Sequence, residues 1–110
     1  MSRTIEELLP LAKEVLSIIP TATAKDNEIR MLINSAIKDM DRLDIDTENK
    51  ISDELVKCAI MMYVKANFGN TNEKEKMLCQ KSYSLFLSNL ANTSEYLKGG
   101  TNDWFRMYPH

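Results

Sequence analysis

"CAIMMYVKANFG", residues 58–69, decides how this chain folds, because it is a helical stretch with too little polar surface for the outside of a small domain. On a helical wheel at about 100° per residue, Leu55, Ala59, Ile60, Met62, Tyr63 and Ala66 form an ordinary core face. The opposite side carries Glu54, Lys57 and Lys65, but Met61, Val64 and Phe68 lie between them. A surface helix normally keeps one face polar. Two arrangements accommodate the excess: a central helix wrapped by its own bundle, or a helix whose strip of Met61, Val64 and Phe68 meets another copy of the chain.

The segments on either side also read as helices. Residues 4–7, "TIEE", form a capping box in which the Thr4 hydroxyl accepts from the Glu7 amide. A helix follows through Leu8, Leu9, Ala12, Val15 and Ile19, with Pro10 inside it and Pro20 expected to end it. Asp26 is a suitable N-cap for a second helix, in which Ile29, Leu32, Ile33, Ala36, Ile37 and Met40 recur at i, i+3, i+4, i+7, i+8 and i+11. This is the cleanest amphipathic stripe in the chain. Ser52 is expected to cap the third helix, with Asp53 and Glu54 favourable beside its positive end and Gly69 placed to stop it. Asn72, with Glu75 three residues on, marks the start of a fourth helix reaching about Ala91.

The fourth helix repeats the excess of the third in milder form. Cys79, Tyr83, Phe86, Leu87 and Leu90 share one face, while Leu78 and Leu85 sit almost opposite. Two apolar faces imply two packing partners, so Leu78 and Leu85 join Met61, Val64 and Phe68 as candidate subunit-interface residues. The expected fold is therefore all-α, a small bundle of about four helices within residues 1–96, followed by a flexible tail at 97–110. In that tail Trp104, Phe105 and Tyr108 are candidate anchors on a neighbouring subunit or on another partner, because a few aromatic side chains can dominate the energy of an interface.

Composition narrows the function. The 110 residues suit one domain that buries roughly two-thirds of its unfolded surface. Three glycines and three prolines leave long uninterrupted stretches, and a net charge of -2 with interspersed signs offers no basic face for nucleic acid. A DNA-reading helix-turn-helix lacks the cationic surface it needs, although a small cytosolic helical regulator remains the alternative reading. Cys58 and Cys79 have no neighbouring Cys or His and read as two buried free thiols, with no metal site. A cysteine nucleophile needs a base nearby, and the single imidazole is His110, so no catalytic residue and no cofactor is expected.

The turn "DIDTENKISDEL", residues 44–55, imitates a calcium loop at its first, third and fifth positions. Asn49 stands where that loop needs glycine, and Leu55 where it needs a bidentate glutamate. A solvated turn between helices is the better reading. The longest apolar run, residues 58–64, is far short of a bilayer span of roughly 20 residues, and "MSRTIEELLP" lacks a signal-peptide pattern. Synthesis in the cytosol and no membrane partner are expected.

Taken in order, "KDNEIRMLINSAIKDMDRLDI" (25–45), "ISDELVKCAIMMYVKANFGN" (51–70) and "KMLCQKSYSLFLSNLANTSEY" (76–96) resemble the head-tail connector, or adaptor, proteins of long-tailed phages and prophages. The resemblance covers about residues 4–96. It implies a non-enzymatic helical subunit that assembles as a homo-oligomeric ring beneath the portal protein, extends the DNA channel without sequence-specific binding, and docks head-completion or tail proteins. The implied location is the head-tail junction of the virion, reached from the host cytoplasm. The matching segments are packing signatures, so the resemblance assigns a role without naming an active residue.

Overall fold

The computed structural model describes residues 2–98, and five helices run through them: α1 (Ser2–Val15), α2 (Asp26–Arg42), α3 (Thr47–Lys50), α4 (Glu54–Asn67) and α5 (Glu73–Ala91). A 3-10 turn at Ser94–Tyr96 follows α5, and the described residues contain no strand beyond an isolated antiparallel bridge between Ile45 and Leu97. The fold is all-α, with four long helices as the sequence implies. The extra helix, α3, is a single turn within the segment read as a solvated loop.

The α2 stripe folds as its period dictates: Ile29, Ile33, Ala36, Ile37 and Met40 are buried, with Leu32 half-buried against them. Against this stripe lies α4, which also contacts α1 and packs most extensively on α5. As a result α4 is enclosed. Val56, Ala59, Ile60, Met61, Val64 and Ala66 are all buried, as is Phe68 at its C-terminal boundary. Leu55, assigned by the wheel to the core, is instead exposed, and Met62 and Tyr63 are half-buried. Lys57 and Lys65 remain in the sector with Met61 and Val64 by extending their stems along apolar surface. Their ammonium groups reach Glu54 at 2.9 Å and Glu75 at 3.0 Å.

Several helix ends differ from the sequence expectation, each for a local reason. Thr4 lies inside α1 and so is not its N-cap. The same helix stops at Val15, five residues before Pro20, because Ser17 turns into the left-handed region at φ 61°. The amide of Ile18 then donates to Lys13 O at 2.8 Å, and that of Ser17 to Glu14 O at 3.1 Å, the paired bonds of a Schellman ending. Pro10 is accommodated within the helix. α2 ends in the same way, with Asp44 at φ 65°, Ile45 N donating to Met40 O and Asp44 N donating to Asp41 O.

Asp26 is the first residue of α2, and the capping position belongs to Lys25, which makes no side-chain cap. The Asp26 carboxylate is drawn instead to the buried Lys13, its Oδ1 lying 2.8 Å from Nζ as an ion pair without a well-directed hydrogen bond. The Lys13 ammonium also donates to Pro20 O at 3.0 Å, so one cation holds α1, the linker and the start of α2 together. For α4 the cap is Asp53 and not Ser52: its Oδ1 accepts from the Leu55 amide at 2.8 Å. Gly69 does not form a left-handed stop. α4 ends at Asn67, and the Gly69 amide donates across the bundle to Glu28 Oε2 at 3.0 Å. Asn72 caps α5 as expected, accepting from the Glu75 amide at 2.9 Å.

A left-handed non-glycine residue costs roughly 1–2 kcal/mol, partly offset by the unfolded-state freedom that glycine would add. Ser17→Gly is therefore expected to raise stability by up to about 1 kcal/mol. Urea unfolding followed by circular dichroism measures this, and an unchanged midpoint would count against the strain at Ser17.

Candidate functional site

Placing the candidate interface residues in the fold divides them into three groups. Met61, Val64 and Phe68, expected to face another subunit, are only 3%, 0% and 3% exposed and belong to the protein's own core. Their partner is in the same chain: they are buried in one cluster with Leu8, Leu9 and Ala12 of α1 and with the α2 stripe, and both helices contact α4. Trp104, Phe105 and Tyr108 lie outside the described residues. Leu78 and Leu85 stand where the wheel put them, on the outward face of α5, 57% and 68% exposed.

The outward face holds more than those two. Met77 is 62% exposed, and Met77, Lys81 and Leu85 follow one another at i, i+4 and i+8, with Leu78 alongside. Together with Gln80 and Ser84, the residues Met77, Lys81 and Leu85 line a shallow, open and mainly apolar groove. Met77 was missed because the wheel counted only leucines seven apart; the i, i+4, i+8 spacing was the signal that would have found it. The opposite face of α5 is fixed by burial of Cys79, Tyr83 and Leu90. Such a helix has no rotational freedom to hide its second apolar face.

Two polar contacts lock that orientation. The Tyr83 hydroxyl donates to Asp39 Oδ2 of α2 at 2.6 Å, and its ring meets Tyr63 of α4 edge-on at 5.1 Å between centroids. Arg42 pairs with the other Asp39 oxygen. Burial disfavours the charged form of Asp39, but the Tyr83 hydroxyl and then Arg42 outweigh it and hold the carboxyl below its ordinary value of 3.8. The Tyr83 phenol is pushed well above its ordinary 10.0, first by burial and then by the carboxylate it faces. At the start of α5 the Lys65–Glu75 pair raises the lysine and lowers the glutamate, each through the other's hydrogen bond.

At the other end of α5 the chain is fastened. Tyr96 is buried, and its hydroxyl donates to the Asp53 carboxylate at 3.2–3.3 Å. Burial and then Asp53 raise this phenol as well. The Asp46 amide donates to Tyr96 O at 2.7 Å, and the Lys98 amide to Asp44 O at 3.0 Å. Of the residues counted by sequence with the tail, Lys98 is thus bonded to the turn between α2 and α3, and Leu97 is bridged to Ile45 there.

The remaining sequence candidates resolve simply. Cys79 is buried, but Cys58, expected to be buried too, is exposed on α4. In the segment resembling a calcium loop the carboxylates are used locally. Asp46 Oδ1 caps α3 through the Asn49 amide at 3.3 Å, and Asp53 serves α4 and Tyr96. No helix among the described residues is long and apolar enough to cross a membrane. The geometry offers a rigid bundle with one outward apolar stripe, an arrangement suited to contact with another macromolecule.

The family model described as phage connector protein matches residues 8–97. This chain belongs to that family. The match spans α1 to the bridge at Leu97, so it covers the whole helical bundle and agrees with the resemblance read from the sequence. No curated protein and no solved structure matches the chain. Phage connectors are structural proteins, and the stripe on α5 is the feature of this member through which such a role can be examined.

Two predictions follow from the burial and from the Tyr83 contacts. Phe68→Glu places a charge at a 3% exposed core position and is expected to cost more than about 3 kcal/mol and to abolish cooperative unfolding; Leu85→Glu should leave helicity and midpoint within about 0.5 kcal/mol of the parent. Far-ultraviolet circular dichroism with urea compares them. The stability held by Asp39 is present above the unfolded carboxylate pKa, about 4, and lost as pH falls through its lower folded value. That held by Tyr83 is present below about pH 10 and lost as pH rises beyond it. Tyr83→Phe should therefore cost about 1–2 kcal/mol at pH 7 and flatten both the acid and the alkaline limbs of the stability profile.

Proposed function

We propose that this chain is a head-tail connector subunit of a phage or prophage, assembling as a ring under the portal protein to extend the DNA channel and to dock head-completion or tail proteins. The observation that carries the reading is the outward stripe of Met77, Leu78 and Leu85, held out by an α5 whose other face is locked into the core of a phage connector fold. Exposed apolar side chains gathered on one helix face mark a contact surface in a soluble bundle. Acting by association, the subunit needs no catalytic group and no cofactor. A net charge of -2 also suits a conduit along which DNA slides without being gripped.

Ring assembly requires two different faces on each subunit, one meeting the other around a closed circle. The stripe on α5 supplies one. Met61, Val64 and Phe68 are not available for the other, because they are buried. Self-association that closes only on the portal would leave a monomer in dilute solution and a ring in the assembled particle.

The purified full chain, mixed with portal particles, is expected to co-sediment with them and to appear as an added ring in negative-stain images. Leu85→Glu, with unchanged helicity, should reduce that association tenfold or more. Association with neither portal nor itself, across concentrations that keep the chain folded, would overturn the reading.

A further inference from the structure

The stripe on α5 and the segment after Lys98 have complementary chemistry. Among the described residues that line the groove, Lys81 is the single charged side chain, flanked by Met77 and Leu85. The twelve residues that follow Lys98 read "GGTNDWFRMYPH", where Asp103 immediately precedes Trp104 and Phe105 and Tyr108 comes three residues later. Thioether and aliphatic side chains are favourable neighbours for aromatic rings, and a lysine can lie over a ring face while pairing with an adjacent carboxylate.

The position of Lys98 argues for where those residues go. Its amide is held by Asp44 O at 3.0 Å and its ammonium lies 2.6 Å from Asp41 Oδ1, so the chain leaves from the C-terminal end of α2. The groove lies on the surface of α5 opposite Tyr83, the residue that bonds to α2. Six residues from Lys98 to Trp104 span at most about 20 Å. Reaching the groove on the same subunit means rounding a helix about 10 Å across, which takes up most of that length. A neighbouring copy can present its groove directly.

We propose that residues 104–108 of one copy seat on the α5 stripe of a neighbouring copy, with Trp104 and Phe105 against Met77, Leu78 and Leu85 and with Asp103 beside Lys81. This rests on the self-association given above and names the surfaces that carry it. The donor leaves from the α2 end and the acceptor is on α5, so the contact is head-to-tail and propagates around a ring. Three aromatic side chains bury on the order of 500 Å², less than the roughly 800 Å² per partner of a stable interface. One seat alone is accordingly weak, and it strengthens when many are closed in a circle.

Trp104 is the only tryptophan, so its emission reports the seat in the intact protein. Emission and light scattering are recorded together from micromolar to millimolar chain. The expected result is a blue shift that grows with concentration in step with mass. Leu85→Glu should move its midpoint tenfold or more upward, while Met31→Glu, at a 71% exposed site on α2, should leave it in place. A blue shift independent of concentration means that the segment folds back on its own subunit, and overturns the proposal. So does association without a shift, a shift insensitive to Leu85→Glu, or the absence of both association and shift at every concentration, with and without portal particles. A shift produced only by added portal particles and insensitive to Leu85→Glu overturns it in favour of the portal as occupant, and leaves the connector reading intact.

Discussion

The fold depends on enclosing α4. A helix with buried side chains on nearly all sides cannot be served by one neighbour, and α1, α2 and α5 are arranged to cover it. Val56, Ala59, Ile60 and Val64 are wholly removed from water. A fully buried aliphatic side chain of this size contributes on the order of 1.5–3 kcal/mol, so α4 supplies much of what offsets the conformational entropy of ordering so short a chain. The remaining helices can then be amphipathic, because each needs only to turn one stripe towards α4. The exception is α5, whose second apolar face has no partner left within the bundle.

Polar contacts between elements distant in sequence fix how the helices are set around α4. Lys13 joins α1 to the start of α2, Glu28 holds Gly69 after α4, Asp39 meets Tyr83 across α2 and α5, and Asp53 holds Tyr96 after α5. The buried Lys13–Asp26 pair is of the kind that specifies an arrangement more than it stabilises one, since desolvating both charges takes back much of the attraction. Tyr83–Asp39 acts similarly for the rotation of α5. Rotational setting matters here because it decides which of the two apolar faces of α5 is left outside.

Much of this was legible in the sequence wherever the signal was local and periodic. The buried side of α2, the Asn72 start of α5 and the two-faced character of α5 all follow from spacing and capping chemistry. The wheel for α4 was also right that Met61, Val64 and Phe68 needed a partner, but a wheel has no means of saying which chain supplies it. That answer lies in α1 and α2, which contact α4 and share one buried cluster with it, α1 from about fifty residues away in sequence. Helix ends were misread where a long-range or backbone feature took over. Asp26 turned to Lys13 instead of capping, Gly69 was claimed by Glu28, and Ser17 and Asp44 took the left-handed position usually given to glycine. Cys58 was misjudged because cysteine is usually buried, a statistical expectation with no geometric content for one helix face.

The backbone bonds at Lys98 and Tyr96 also have a mechanical meaning. Tension applied at Lys98 would reach Asp44 at the end of α2 through the Lys98 amide, and the Asp53 cap of α4 through Tyr96, before it reached the last turn of α5. The 3-10 turn at Ser94–Tyr96 thus joins α5 to the ends of two helices that are themselves packed in the bundle. The end of α5 is thereby coupled to two other helices of the core and does not stand free.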